Sequence, residues 1–278
     1  MSNQRVVLIT GASSGVGQSA ARLLSQRGYT VFGTSRISPN AENIPGVEML
    51  SLDVRADDSV QECVEAVQRR CGHLDVLINN AGYELAGALE ELSPQEAWAQ
   101  FETNFFGVVR MVNAVLPSMR QRKQGHIINI GSLSGLSAIP FLGIYSASKF
   151  ALEGYTEALR YEVKPFNLHV SLTEAGFLKT SMMSHRQGAA NRLTDYDPWR
   201  HRALTAIRGY EEKGPGPEAV AKTLLEIISS SNPRLRYLIG QQAKTVARLR
   251  RFLPARMYEQ GVRRTFSLDS TAPAVASN

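Results

Sequence analysis

Short apolar runs rich in β-branched residues alternate with amphipathic stretches along most of this chain. Arg5 to Thr10 is such a run, bounded by glycine, and it predicts a buried strand. Similar runs at Tyr29 to Ser35, Val47 to Val54, Leu74 to Asn79, Ile127 to Ile130, Leu168 to Thr173 and Arg236 to Ile239 predict further strands. Helical periodicity appears at Ser19 to Gln26, which Gly28 follows as a C′ glycine. It returns at Asp57 to Arg70, with Asp57 or Asp58 as cap, at Tyr145 to Val163 and at Pro217 to Ser230. A long helix runs from Pro94 to about Arg122, with a possible kink before Pro117. Ser93 and Glu96 are spaced as its capping box, and Pro94 stands at its first position. Strands of continuous apolar character alternating with helices predict a parallel sheet covered on both faces. Phe177 to Gly214 has no clean period.

The turn after the first strand reads Thr10-Gly11-Ala12-Ser13-Ser14-Gly15-Val16-Gly17. Strand, glycine-rich turn, helix and strand follow in the order that a dinucleotide site requires. The glycines let the backbone approach a pyrophosphate, and the helix N-terminus offers free N–H groups and a positive dipole end. The spacing is Gly-x3-Gly-x-Gly rather than Gly-x-Gly-x2-Gly, and a tight turn without ligand is the plain alternative. The second strand ends in Ser35-Arg36, where NAD-selective sites carry an acidic residue. A guanidinium there suits a 2′-phosphate, which points to NADP(H) over a merely solvated arginine.

Ser132 sits at the end of a predicted strand, and Tyr145 and Lys149 open a predicted helix. Four residues apart on a helix, their side chains share a face. Proton transfer to or from an alcohol oxygen needs such a trio. A nearby cation favours the phenolate and lowers the tyrosine pKa, and the serine hydrogen-bonds the oxygen that gathers charge.

With these pieces placed, the chain resembles the short-chain dehydrogenase/reductase family, in its NADP-preferring form, and is similar to the steroid and retinoid hydroxy-dehydrogenases. The resemblance spans roughly Arg5 to Gly240. It rests on the glycine turn, Asp53-Val54, Asn79-Asn80-Ala81-Gly82, Asn104, Ser132 and Tyr145-x3-Lys149. It implies a Rossmann-type, doubly wound α/β domain with a seven-stranded parallel sheet, over residues 1–240. It also implies Tyr145 as general acid/base, Ser132 as the residue that polarises the substrate oxygen, and Lys149 on the nicotinamide ribose. Asn104 would hold a water in a proton relay, Asp53 and Val54 would meet the adenine, and Asn80, Ala81 and Gly82 would line the cofactor. Gly176 and Thr180 keep the family spacing for the carboxamide contact, but Ala175 replaces the usual proline, and a slightly less rigid turn is expected. Family members pair as dimers or tetramers through the helices holding Asn104 and Tyr145.

The chain has 278 residues, 43% apolar and 20% charged, which is ample for one full core. Net charge is +6, yet the first 240 residues carry 24 basic against 23 acidic side chains. The excess belongs to the end, which argues against a nucleic-acid binder. Cys63 and Cys71 lie about 12 Å apart on one helix, too far for a disulfide, so a reduced cytoplasmic setting is expected. No signal peptide or membrane-length run is visible, and no metal is expected.

The lid after the sixth strand carries Phe177, Met182, Met183, Leu193, Tyr196 and Trp199. With Tyr83, Leu85, Leu133, Phe141 and Leu142 it suits a hydrophobic alcohol or carbonyl. Ser132, Tyr145, Phe141, Phe177 and Met183 are the candidate substrate contacts. The expected activity is NADP(H)-dependent interconversion of a hydrophobic ketone or aldehyde and its alcohol. The alternatives are a 3-oxoacyl-type ketoreductase and a cofactor-binding regulator that does no chemistry. Residues 241–266 form a basic helical extension whose apolar face docks on the domain or a neighbouring subunit. Weak contact with a membrane surface is the alternative. Residues 267–278 read as a disordered tail.

Overall fold

A computed structural model describes residues 5–36, 44–180, 182 and 186–269. In chain order its elements are β1 (Val6–Ile9), α1 (Gly15–Gln26), β2 (Thr30–Ser35), β3 (Val47–Ser51), α2 (Asp57–Cys71), β4 (Val76–Asn79) and β5 (Leu85–Ala86). Then come α3 (Pro94–Phe101), α4 (Gly107–Arg122), β6 (His126–Ile130), α5 (Gly143–Val163), β7 (His169–Ala175) and β8 (Gln187–Gly188). The chain continues through α6 (Asp197–Glu212), α7 (Glu218–Ser229), β9 (Arg236–Ile239), α8 (Gln241–Phe252) and α9 (Ala255–Thr265). Seven strands form one parallel sheet in the order β3-β2-β1-β4-β6-β7-β9. This is the doubly wound, Rossmann-type architecture that the alternation predicts.

The strands read as unbroken apolar runs because both faces are covered. Val6 and Leu8 of β1 pack with α2, α4 and α5 on one side. Val7 and Ile9 pack with α1 and α7 on the other. Successive side chains of a strand point to opposite faces, so every position of β1 must be apolar. The strand order reverses between β1 and β4, and the crevice beyond their carboxyl ends is where such folds bind ligands.

Several boundaries differ from the sequence reading for identifiable reasons. Neither Asp57 nor Asp58 caps α2; Ala56 holds that position, and both aspartates lie in the first turn. The strand at Val47 stops at Ser51, leaving Asp53 and Val54 in the loop. The long helix is interrupted by a π-helical segment, Glu102–Phe106, which contains Asn104. One extra residue per turn carries no periodic signature of its own. The aperiodic lid contains α6 and the short strand β8, which pairs in parallel with β5. Two-residue strands are below what alternation can reveal.

The extension lies on the domain. Ala243 of α8 is buried, and Phe266 just beyond α9 is buried against the cluster that contains Tyr145. Its outer side shows Leu249, Phe252 and Met257. Residues 270–278 of the expected tail, and Met183 of the expected substrate contacts, lie outside the described residues. Cys63 and Cys71 are free thiols.

Candidate active site

The glycine turn is held in place by hydrogen bonds from β4. The N–H groups of Asn80 and Ala81 donate to the Thr10 hydroxyl at 2.9 and 3.0 Å. Asn80 Nδ2 donates to the carbonyls of Thr10 and Gly11 at 2.9 and 2.8 Å. Gly11 has φ +65°, and a Cβ on Gly17 would stand 2.3 Å from the Gly11 carbonyl oxygen. Both glycines are therefore required by backbone geometry. Ser14 occupies the N-cap of α1 without a side-chain cap, and no acidic residue lies in the first turn. The N–H groups there remain free for an anion. A groove of about 880 Å³ starts beside them and runs along α1 against α7, lined by Ser14, Gly15, Gln18, Arg22, Lys179 and Lys222 among others. The uncapped donors and the glycine cradle fit the pyrophosphate of a dinucleotide.

In the loop after β3 the structure adds a residue that sequence reasoning missed. Arg55 grips Asp53 with two nitrogens, Nε at 2.9 Å from Oδ1 and Nη2 at 2.6 Å from Oδ2. This hydrogen bond holds the Asp53 carboxyl down at about 2, and Arg36 contributes through its charge. Arg36 itself is exposed at the end of β2. Two guanidiniums, those of Arg55 and Arg36, thus both act on Asp53. The signal was Asp53-Val54-Arg55, an arginine two residues past the expected adenine contact.

The catalytic candidates come together as the spacing predicts. Tyr145 lies in the first turn of α5 and is only 5% exposed. Ser132 hydrogen-bonds with it, and the Ser132 oxygen also accepts from the Ser134 N–H at 3.1 Å. Lys149 Nζ lies 5.8 Å from the Tyr145 ring centre and donates to the Ile130 carbonyl at 2.8 Å. Asn104, 2% exposed, is engaged by its side chain. Its Oδ1 accepts from the Tyr83 N–H at 3.1 Å. Its Nδ2 donates to the Tyr83 carbonyl at 3.1 Å and to Ser148 Oγ at 3.3 Å. Asn104 therefore braces the loop after β4 against the helix that carries Lys149.

One electrostatic expectation is corrected. Tyr145 is not lowered by Lys149. Burial pushes its hydroxyl above the ordinary phenol value, the Glu84 charge adds to this, and only the Ser132 hydrogen bond and Arg186 oppose it. Lys149 is itself lowered to about 8 by burial. Desolvation outweighs charge pairing here because both groups are enclosed.

An apolar cluster surrounds Tyr145, formed by Ala86, Ile139, Leu142, Ala203, Ile207 and Phe266, with Phe141 and Phe177 packed beside it. Phe141 has φ +62°, a left-handed conformation that a bulky residue rarely adopts. Its carbonyl accepts from the Gly87 N–H at 2.9 Å. Phe177 stacks on Tyr210 with ring centres 5.4 Å apart. Leu85 is buried on β5, whereas Trp199 is largely exposed. Phe266 was absent from the sequence-based wall, because nothing in a distant tail marks its docking partner.

Beyond Ala175, Gly176 donates its N–H to the Ile239 carbonyl at 2.9 Å. The strand pairing reaches Ala175 itself, opposite Ile239. Thr180 Oγ1 accepts from the Met182 N–H at 3.4 Å.

The comparisons agree with this geometry. Residues 5–190 match the family model for short chain dehydrogenases. A 3-ketodihydrosphingosine reductase of Bacteroides thetaiotaomicron is 42% identical over 264 residues, covering 93% of this chain and 97% of that protein. Retinol dehydrogenase 8 of Homo sapiens is 38% identical over 252 residues, covering 84% and 80%. A short-chain dehydrogenase from Streptomyces avermitilis has the same fold at TM-score 0.80 and 30% identity, covering 97% of this chain and 100% of that one. This chain belongs to the short-chain dehydrogenase family and is an oxidoreductase of that class. Two further neighbours at 25% identity contain nucleotides. ElxO has NADP bound, with TM-score 0.74 and coverage of 87% and 99%. A Burkholderia phymatum member has NAD, with TM-score 0.78 and coverage of 89% and 93%. The cofactor class is a nicotinamide dinucleotide.

Behind the Ser132 loop lies a buried carboxyl pair. Glu174 is 1% exposed, and Arg236 Nε is 3.3 Å from it and 3.1 Å from Glu153. Burial, then the Glu153 side chain, pushes the Glu174 pKa up from 4.5 to about 8. A carboxyl raised on folding contributes stability that is complete below the unfolded value and is lost as pH rises through the folded one. Unfolding free energy should therefore fall as pH rises from about 4.5 to 8. Urea titrations across that window should show Glu174→Gln flattening the decline; parallel curves for both proteins would remove Glu174 as its source.

Proposed function

We propose that this protein is an NADP(H)-dependent reductase of a hydrophobic ketone or aldehyde, with Tyr145 as its proton donor. The observation that carries this reading is the state of Tyr145. It is buried inside an apolar cluster, with Ser132 and Lys149 beside it. A phenol so placed can give its proton to a carbonyl oxygen.

When bound, the nicotinamide supplies a hydride to the carbonyl carbon. Tyr145 gives its proton to the carbonyl oxygen as negative charge builds there, so the C=O becomes an alcohol and the phenol becomes a phenolate. Ser132 donates a hydrogen bond to the same oxygen and lowers the cost of that charge. Lys149, close to the ring, stabilises the phenolate until a proton returns. Asn104 would hold a water in the proton relay behind Lys149, while its side chain donates to Ser148 Oγ on the same helix.

The residues of the cleft divide by the part of the cofactor they would hold. Gly11, Ser13, Ser14, Gly15, Val16 and Gly17 take the pyrophosphate, and Asp53, Val54, Asn80, Ala81 and Gly82 line the adenosine half. Ser35, Arg36 and Arg55 favour the 2′-phosphate and hence NADP(H). Gly176 and Thr180 hold the carboxamide end. Phe141, Phe177 and Phe266 form the apolar wall for substrate.

Tyr145→Phe should lower kcat by about 100-fold or more while leaving cofactor affinity unchanged. Turnover near the wild-type rate, with chemistry rate-limiting, would contradict the assignment. Arg36→Ala should weaken NADPH binding by about tenfold to 100-fold and NADH by no more than about twofold, read by fluorescence titration. Equal losses for both nucleotides would remove the 2′-phosphate from the account.

A further inference from the structure

The net charge of this chain is gathered in its C-terminal extension, and apolar side chains stand out of the surface beside it. Residues 1–240 carry 24 basic and 23 acidic side chains. From Gln241 to Tyr258 there are five Lys or Arg residues and no carboxylate. The same stretch holds Phe252, at 75% the most exposed large apolar side chain among the described residues, with Met257 at 56% and Leu249 at 42%.

The extension has a docked side and an outward side. Ala243 of α8 is buried, and Arg250 lies over the rings of Phe150 and Tyr258, 5.3 and 5.9 Å from their centres. On α9, Tyr258, Val262 and Phe266 follow at intervals of four, and Val262 and Phe266 pack with the cluster that contains Tyr145. The opposite sides face solvent. On α8, Lys244, Arg248 and Arg251 form an exposed line, with Phe252 and Leu249 next to it. On α9, Arg256, Gln260 and Arg264 recur at intervals of four and are exposed, with Met257 beside them. Arg263 pairs with Asp269 at 2.6 Å. Among the described residues no carboxylate pairs with the cations on these outward lines.

The docked side already accounts for how the extension is held, so the outward apolar residues need another explanation. A phenylalanine and a methionine set among unpaired arginines keep apolar surface in water. A second copy of this chain would cover them only by bringing the same cations face to face. A polynucleotide would satisfy the charge but give Leu249 and Met257 no apolar surroundings. An anionic bilayer supplies both: phosphates for the arginines and the acyl boundary for the apolar tips. Arginine stems can also lie along that boundary while their heads stay at the phosphates.

We propose that the outward side of α8 and α9 binds the surface of an anionic bilayer. Phe252 and Met257 enter the headgroup region, and Arg248, Arg251, Arg256 and Arg264 meet the lipid phosphates. The contact is peripheral, since no helix among the described residues is long and apolar enough to cross a membrane. This inference does not depend on the reductase reading.

The test sediments the full chain with vesicles of phosphatidylcholine, alone or with about 30% phosphatidylserine. At about 50 mM salt the partition coefficient should be at least about tenfold higher on the anionic vesicles, and it should fall about tenfold at about 500 mM salt. Phe252→Ser, which keeps every charge, should weaken binding about tenfold, and so should Arg248→Glu combined with Arg251→Glu. Arg69→Glu combined with Arg70→Glu makes the same change in net charge on α2 and should leave binding within about twofold. Thermal melting checks that each variant is folded, and the comparison of vesicles needs no variant. Equal binding to both vesicles, Phe252→Ser binding like wild type, or equal losses from the α8 and α2 pairs would each overturn the proposal. So would absence of vesicle binding. In that case tight binding to duplex DNA would assign the surface to a polynucleotide, and a dimer lost in the α8 pair would assign it to a second copy.

Discussion

Thr10 and Asn80 clasp the two strands that flank the reversal of strand order. The Thr10 hydroxyl accepts from two N–H groups of the β4 loop, and Asn80 returns two hydrogen bonds to the glycine turn. Four hydrogen bonds between segments some seventy residues apart fix the mouth of the crevice. Gly17 can pack beneath that turn only because it lacks a Cβ. The free end of α1 then points its donors into the cleft. On the other wall, Asn104 braces Tyr83 and meets Ser148, so the cofactor loop and the catalytic helix are placed relative to one another. The chemistry proposed for Tyr145 depends on this frame, since a proton donor must meet its acceptor within hydrogen-bond reach.

Much of this was legible in the sequence because it follows from local rules. The strand Arg236–Ile239 and the Ser93–Glu96 capping box appear in the structure as the residues dictate. Double coverage of the sheet followed from apolar runs without alternation. The trio of Ser132, Tyr145 and Lys149 meets because helical spacing and a strand end carry fixed geometry. What could not be read depends on long-range contact. Arg186 meets Glu84 across 102 positions of sequence. Phe266 reaches the Tyr145 cluster from beyond α9, and no periodicity in the tail names its target. The π-helical segment at Asn104 is a departure from the very period that reveals helices.

Electrostatics was the least legible layer. Spacing alone made Lys149 a neighbour able to lower the Tyr145 pKa. Burial reverses the sign, raising the phenol and lowering the ammonium together. Reading it required knowing how completely the lid, α6 and the tail close over the site. The same enclosure lets Glu84, Arg186 and Glu211 act on Tyr145, because charges out of water act on one another far more strongly than charges on a surface. Fold and catalytic trio thus belong to local pattern, and the character of the pocket belongs to tertiary closure.

The central claim is that one cleft binds NADPH beside Tyr145 and a hydrophobic ketone. The most direct measurement titrates the protein with NADPH and with NADH, following nicotinamide fluorescence, and then adds a long-chain ketone to the NADPH complex. The account predicts tighter binding of NADPH than of NADH and loss of the fluorescence as the ketone is reduced. Binding of neither nucleotide would contradict it at the glycine turn, on which every other assignment depends.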